Sequence, residues 1–356
     1  MFVEINENCI ELLDKEKYIN FFEQLASYIY IGRNYIFLNK RILEKLYTNK
    51  KISEFSRKIY KNIFDNSSID LSIKNSVNRK IIVTNSVEKE AKLINNEEIL
   101  MPIDIVIDID IFINKSNLIC ENLSDCKFFC YIAEVYRRKK SLTNINIELN
   151  RINGGGTTIS EVHKDKRLNK EISLTIVDSD QKYYNAPKGE TLKKILKENK
   201  VPSPMNEIFP LYVHEIENLI PIKMIENYYK NKSEENQTDL IEFLKKLNIN
   251  RFEESPLAYF DMKKGISIQK WRDNLQYKEY WEKIIMNIGF EYDDQKEIIK
   301  GFGEHLMRKI NDFLDKEIDK EEFFEENIDN YMTKTWKDIG RTIYSYGCAR
   351  KRKSCI

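Results

Sequence analysis

The chain has 356 residues, 42% of them hydrophobic and 12% aromatic, with only 11 Gly and 7 Pro. That excludes a small disulfide-stapled module, a collagenous chain and a disordered one. The 58 basic and 57 acidic side chains nearly cancel, so net charge advertises no polyanionic partner, although a basic cleft can sit inside a neutral total.

Amphipathic spacing (Phe21, Leu25, Tyr28; Ile42, Leu43, Leu46) predicts helices over residues 15–30 and 42–64. Branched and aromatic runs at 35–38 and 81–83 predict strands, so residues 1–116 are expected to form a mixed α+β region. Ile103, Ile105, Ile107, Ile109 and Ile111 alternate with Asp104, Asp108 and Asp110. This period of two predicts a half-buried strand with an acidic face rather than a second metal site. The same stretch is far short of the ~20 apolar residues of a membrane helix. From 118 onward strands and helices alternate: strands at 118–120, 145–149, 172–177 and 208–213, and helices at 126–138, 157–165 and 190–198. Such alternation implies right-handed crossovers and a mostly parallel sheet flanked by helices over 117–222. Helical patterns at 277–288, 297–313 and 324–343 predict a helical region over 223–356. The Met1-Phe2-Val3-Glu4 start does not read as a secretory signal. Six Cys show neither Cys-x-x-Cys nor zinc spacing, so the expectation is a cytoplasmic protein with reduced thiols and no membrane association.

In an open α/β sheet the working residues lie just beyond the carboxyl ends of the strands. That rule selects Glu121 with Asp125, Asp178 with Asp180, and Glu215 with Glu217. Six acids after three neighbouring strands repel one another unless a cation sits among them, and hard divalent cations prefer an all-oxygen ligand set. The plainer reading, of which Asp125 is the clearest case, is a helix N-cap. His163 and His214 read as polar or packing residues, His214 being the better site candidate because it adjoins an acid pair. The Gly154-Gly155-Gly156-Thr157-Thr158 loop lacks the P-loop pattern and its Lys, so no ATPase is expected.

Glu121-Asn122-Leu123-Ser124-Asp125, the triple-Gly break, Ile176-Val177-Asp178-Ser179-Asp180 and His214-Glu215-Ile216-Glu217-Asn218 together resemble a Toprim domain. That fold is shared by topoisomerases, bacterial primases and OLD-family nucleases. The resemblance covers about residues 117–222, with Asn122 standing where many members have Gly. The stretch from Glu215 and the later Tyr259-Phe260-Asp261-Met262-Lys263-Lys264-Gly265 are most similar to the Toprim effectors of anti-phage systems such as PARIS and the OLD proteins. The resemblance implies a nuclease that cleaves DNA or tRNA with Mg²⁺ or Mn²⁺. Glu121 would then be ligand and nearest to a general base, Asp178 and Asp180 ligands, Asp125 a support, and Lys263 or Lys264 a partner of the developing phosphorane charge. It also implies a toxic effector restrained by a regulatory partner, in relatives an ATPase sensor, or by homodimer formation. Trp271, Trp281 and Trp336 are candidate interface anchors, although each reads more simply as a core residue. The basic cluster Arg350, Lys351, Arg352 and Lys353 reads as a nucleic-acid or partner contact, or as a solvated tail. The competing expectation is a non-catalytic nucleic-acid-binding or assembly subunit that keeps a Toprim scaffold.

Overall fold

The computed structural model describes residues 1–67, 70–109, 111–230, 237–248, 255–291, 298–317 and 330–351. In the N-terminal region β1 (Phe2–Ile5), β2 (Tyr35–Leu38), β3 (Lys80–Thr84), β4 (Lys92–Ile94) and β5 (Glu98–Pro102) form one sheet in the order β2-β1-β3-β5-β4. All its pairings are parallel except that of β4 with β5. The first helix, α1 (Glu16–Ile31), buries Phe21, Phe22, Leu25, Ala26 and Ile29, and stops at Gly32, whose left-handed φ of 72° lets its N–H return to Tyr28. The helical pattern over 42–64 divides into α2 (Lys40–Thr48) and α3 (Glu54–Asp65). Asn39 and Ser53 cap the two helices, accepting from Ile42 N–H and Ser56 N–H. A short α4 (Asp70–Lys74) follows.

The alternating stretch after residue 102 corrects the expectation of a strand, because Ile103–Ile109 is a helix, α5. Ile at every second position is also Ile at every fourth, so the same residues satisfy a helical stripe. Pro102, which has no N–H to donate, ends β5 just before it. Ile103 and Val106 turn inward, while Asp104 meets Lys17 Nζ at 2.8 Å and Tyr18 Oη at 3.0 Å. Asp110 lies outside the described residues.

The second sheet is wholly parallel and contains β6 (Asn117–Cys120), β8 (Asn150–Asn153), β9 (Ser173–Val177) and β10 (Asn206–Pro210) in the order β10-β9-β6-β8. Helices α6 (Leu123–Lys139), α7 (Ile159–Leu168) and α8 (Glu190–Glu198) connect its strands. The strand expected at 145–149 is only in part what the sequence suggested. Its core, β7 (Ile145–Ile147), leaves this sheet and pairs antiparallel with β11 (Cys348–Arg350). The region after residue 222 is therefore helical but closes on a strand. Its helices are α9 (Ile222–Lys230), α10 (Thr238–Leu247), α11 (Ile268–Asp273), α12 (Leu275–Asn287), α13 (Leu306–Glu317) and α14 (Asn330–Gly347). Residues 297 and 324–329 of the expected helices lie outside the described residues.

One hydrophobic core runs through all three regions, from Phe22 through Phe129 to Trp281. Helices α13 and α14 both pack along α6. Trp336 of α14 sets its ring edge-on to Phe128 and Tyr131 and donates its indole N–H to Leu219 O at 2.9 Å. Trp271, Trp281 and Trp336 are buried core residues, the plainer of the two readings, rather than interface anchors. No helix among the described residues is long and apolar enough to cross a membrane.

Candidate metal centre

The connection from β6 leads to β8 on one side and the connection from β9 leads to β10 on the other. Where crossovers depart in opposite directions, their helices leave a crevice at the carboxyl ends of the two central strands. Glu121 is the first residue after β6, and Asp178 the first after β9. Strand pairing alone thus brings these two carboxylates to opposite lips of one crevice.

The third acid pair reaches the crevice because the chain beyond β10 stays laced to the chain beyond β9. Leu211 N–H donates to Val177 O at 2.9 Å and Asp180 N–H to His214 O at 2.9 Å. Ser179 Oγ donates to Val213 O at 2.6 Å. On the other side His214 N–H donates to Ala258 O at 2.7 Å, and the buried Asn218 amide donates to Leu257 O and Phe260 O, both at 2.7 Å. These bonds dock the segment 257–263 against the acids. A turn at Gly265 (φ 69°) follows, and Gly301 presses so close to Lys263 that a Cβ there would lie 2.4 Å from its carbonyl oxygen. Lys263 Nζ is thereby held 2.9 Å from Glu215 Oε2 and 3.1 Å from Glu217 Oε2.

The crevice opens as a cleft of about 340 Å³, with Glu121, Asp125, Asp178, Glu217 and Lys263 on its walls. Glu304, His305 and Arg308, from the start of α13, complete it. Burial, then Asp180 and Asp125, push the Glu121 carboxyl up to about 6. Burial, then Glu121 and Glu217, hold Asp178 well above the usual carboxylate range. Burial and Glu215 raise Glu217 to about 8 against the opposing pull of Lys263. Burial would lower the Lys263 ammonium, but Glu217 and Glu215 outweigh it and raise its pKa.

Asp125 has the capping role that the plainer reading gave it. Its Oδ2 accepts Asn122 N–H at 2.9 Å and its Oδ1 accepts Ser124 Oγ at 3.2 Å. It lines the cleft as well, and burial lifts its pKa. Asp180 takes a left-handed φ of 55° and lays its carboxylate against Gly189, where a Cβ would come within 2.1 Å of Oδ2. Gly189 itself has φ −63° and ψ 160°, open to any residue, so only Asp180 forbids a side chain there. Gly189→Ala is therefore expected to move Asp180 and weaken whatever depends on that carboxylate, with a stability loss of about 1–3 kcal/mol. Unchanged divalent-ion binding and unchanged activity in that variant would contradict the placement.

These raised carboxyls make the metal-free fold pH-sensitive. Glu121 and Glu217 keep protons in the folded state that an unfolded chain, titrating near 4.5, has already released. Their contribution is therefore fully present below 4.5 and is lost as pH rises through about 6 and then about 8. The thermal midpoint in chelator should fall between about pH 5 and about pH 8, and added Mg²⁺ should offset the fall most at the upper end. A midpoint that stays flat or rises across that window would refute this.

The all-oxygen donors of Glu121, Asp178, Asp125 and Glu217 fit a hard dication in chemistry, and burial first, then their mutual repulsion, raises their pKa values. The set of three metal-type donors that the structure draws closest is a different one. Among the described residues His214, Glu215 and Asp261 bring their ligand atoms within 4.8 Å of one another, and Glu121, Asp178 and Asp180 form no such set. The sequence reading had not singled out Asp261, Arg308 or His305 for the site. Asp261 lay inside a quoted motif, whereas the other two carried no local signal.

Other expectations resolve simply. Gly154 and Gly155 N–H groups donate to Cys120 O at 2.7 Å and Glu121 O at 3.0 Å, so the triple-Gly loop braces the strand end and is no phosphate cradle. His163 bonds Thr175 Oγ1 at 2.8 Å, and burial lowers it to about 4, which leaves a neutral packing residue. Arg350 sits in β11 with its guanidinium 4.6 Å from the Tyr35 ring centre, which commits it to the fold rather than to a solvated tail. Lys351 is exposed, and Arg352 and Lys353 lie outside the described residues. Compared with known proteins, the chain matches no family model, no curated protein and no solved structure.

Proposed function

We propose that the protein is a divalent-metal-dependent nuclease that hydrolyses phosphodiester bonds at the crevice between β6 and β9. The observation that carries this reading is the surplus of carboxylates at a strand-end switch point. Glu121, Asp125, Asp178, Glu217 and Glu304 share one cleft with Lys263 and Arg308, and burial together with the neighbouring acids raises the pKa values of the inner ones. Glu121 and Asp178, with Asp125 and Glu217 beside them on the cleft wall, would hold Mg²⁺ or Mn²⁺. When bound, the ion supplies Lewis-acid polarisation of the phosphate and a more acidic water.

The protein's own groups perform the remaining steps. Glu121, on the cleft wall, is the carboxylate placed to accept a proton from the attacking water. Lys263 stays charged and faces the cleft, where it can offset charge building on the phosphate. Asp125 fixes the first turn of α6 and so the position of Glu121.

A groove of about 580 Å³ adjoins the cleft and shares Leu123, Ser124 and Arg308 with it. Its walls carry Lys127, Arg151 and Arg308, of which Lys127 is paired with Asp315, while Arg151 and Arg308 are exposed. A sugar–phosphate backbone lying along these cations would lead a phosphodiester into the acids. By its resemblance to anti-phage Toprim effectors, we extend the reading to a toxic defence nuclease checked by a regulatory partner, such as an ATPase sensor, or by pairing of two copies.

The test is cleavage of single- and double-stranded DNA and of tRNA with Mg²⁺ or Mn²⁺, against a chelator control. Metal-dependent cleavage is expected, and Arg151→Glu with Arg308→Glu should weaken substrate binding by about tenfold or more at low salt. Binding that these reversals weaken, without cleavage of any substrate, would overturn the nuclease and leave a nucleic-acid-binding subunit.

A further inference from the structure

His214 is 5% exposed and its Nδ1 is buried without a hydrogen-bond partner. Its backbone is fixed from both sides, the N–H by Ala258 O and the carbonyl by Asp180 N–H, so the ring cannot swing out to water without breaking the lacing that builds the cleft. The next residue repeats the situation. Glu215 is 7% exposed, its Oε2 is held by Lys263, and its Oε1 is buried and unpartnered. Asp261 comes from the docked turn, and its oxygens accept Lys264 N–H at 2.7 Å and Lys270 Nζ at 2.9 Å. Those two bonds orient the carboxylate and leave each oxygen with a lone pair.

Buried polar atoms in folded proteins nearly always find partners. Here two orphans on consecutive residues belong to a trio whose ligand atoms lie within 4.8 Å of one another. A single cation placed among them would satisfy all three at once. One imidazole nitrogen with two carboxylates is a borderline donor set, suited to Zn²⁺, Mn²⁺, Fe²⁺ or Co²⁺ rather than to Mg²⁺ or Ca²⁺, which favour oxygen alone. Three protein ligands leave a coordination position for water. The Lys263 and Lys270 ammonium groups already face two of the donors. They act on the ligands as outer-shell partners that set carboxylate orientation, and their charge tempers the ion's affinity.

We propose that His214, Glu215 and Asp261 form a transition-metal site of mixed nitrogen and oxygen donors, distinct from the all-oxygen cleft of Glu121 and Asp178. The proposal does not depend on the nuclease reading, since such a site can fill in a chain that cleaves nothing. Glu215 joins the two centres, with one oxygen for this ion and the other tied through Lys263 to Glu217. Occupancy here therefore fixes the lysine that overlooks the cleft.

The experiment titrates the chelator-stripped full chain with Co²⁺, read by its ligand-field absorption, and then displaces it with Zn²⁺. One Co²⁺ per chain with an imidazole-bearing spectrum is expected in the Glu121→Gln/Asp178→Asn double variant and, beside any Co²⁺ held by the all-oxygen cleft, in the wild type. His214→Ala should weaken Co²⁺ binding by at least roughly 10–100-fold. Because His214 is buried, Asp261→Asn is measured in parallel as the milder change, and near-ultraviolet circular dichroism verifies that each variant is folded. Co²⁺ bound equally by folded His214→Ala and Asp261→Asn would overturn the site. So would binding abolished by the Glu121→Gln/Asp178→Asn change alone, or a wild-type chain without Co²⁺ absorption. Loss of cleavage with Co²⁺ binding intact would count against the nuclease reading only.

Discussion

Replacing Asp178 by Asn, or Glu121 by Gln, is expected to lower nucleic-acid cleavage by about 10²–10⁴-fold while the metal-free protein keeps or raises its thermal midpoint. The two readouts move apart for one physical reason. Asp178 lies where burial, Glu121 and Glu217 all oppose its charge, so without an ion it keeps its proton, and Asn reproduces the neutral form in shape and polarity. Removing Glu121 likewise relieves the repulsion that it exerts on Asp178. A carboxyl buried beside other acids at a strand-end crevice is where a functional group is expected. The stabilisation that Mg²⁺ or Mn²⁺ confers on the wild type should shrink in both variants, because the ion loses a ligand. Cleavage at the wild-type rate in the doubly substituted protein would remove Glu121 and Asp178 from the mechanism.

The second large effect concerns Lys263. Its ammonium lies 2.9 Å from Glu215 and 3.1 Å from Glu217, whose side chains are only 9% and 3% exposed. Lys263→Met would fill the same volume but leave the buried Glu215 carboxylate without its counter-ion, at a cost of about 3–5 kcal/mol. A Lys263→Met/Glu215→Gln double variant should recover much of that loss, since Glu217 titrates near 8 and keeps its proton at neutral pH. Chemical denaturation at neutral pH measures both. A single variant as stable as the wild type would show that the pair contributes no net stability. The same substitution should depress cleavage more than stability alone explains, because the cation is also lost from the cleft wall.

The sequence made the inner half of this site readable and left its outer half dark. Glu121 and Asp178 could be picked out because β6 and β9 are apolar runs that break off into acids, and strand ends are where an open sheet does its work. β8 escaped notice because, as an edge strand with an exposed face, Asn150-Arg151-Ile152-Asn153 carries almost no hydrophobic signal. The more apolar run before it drew the assignment and turned out to pair with β11. The Ile-Asp alternation after Pro102 fits both a strand and a helix stripe, and only the Pro and the tertiary contacts of Asp104 decide between them. His305, Arg308 and Asp261 reach the site by packing and docking of segments far along the chain, which no local pattern encodes. The pairing of His214 with Asp261 had the same origin.

The contact between α6 and α14 carries a consequence for the life history of the molecule. The helix that follows Glu121 meets its cover, Trp336 against Phe128 and Tyr131, only after some 200 further residues have been made, and the α13 wall of the cleft also emerges late from the ribosome. Pairings so distant along the chain are slow to close, because loop entropy must be overcome before their contacts form. A nascent or proteolytically shortened polypeptide would thus carry every inner carboxylate and still expose the apolar flank of α6, a target for chaperones and proteases. Translation itself would delay the assembled cleft until α13 and α14 have been made.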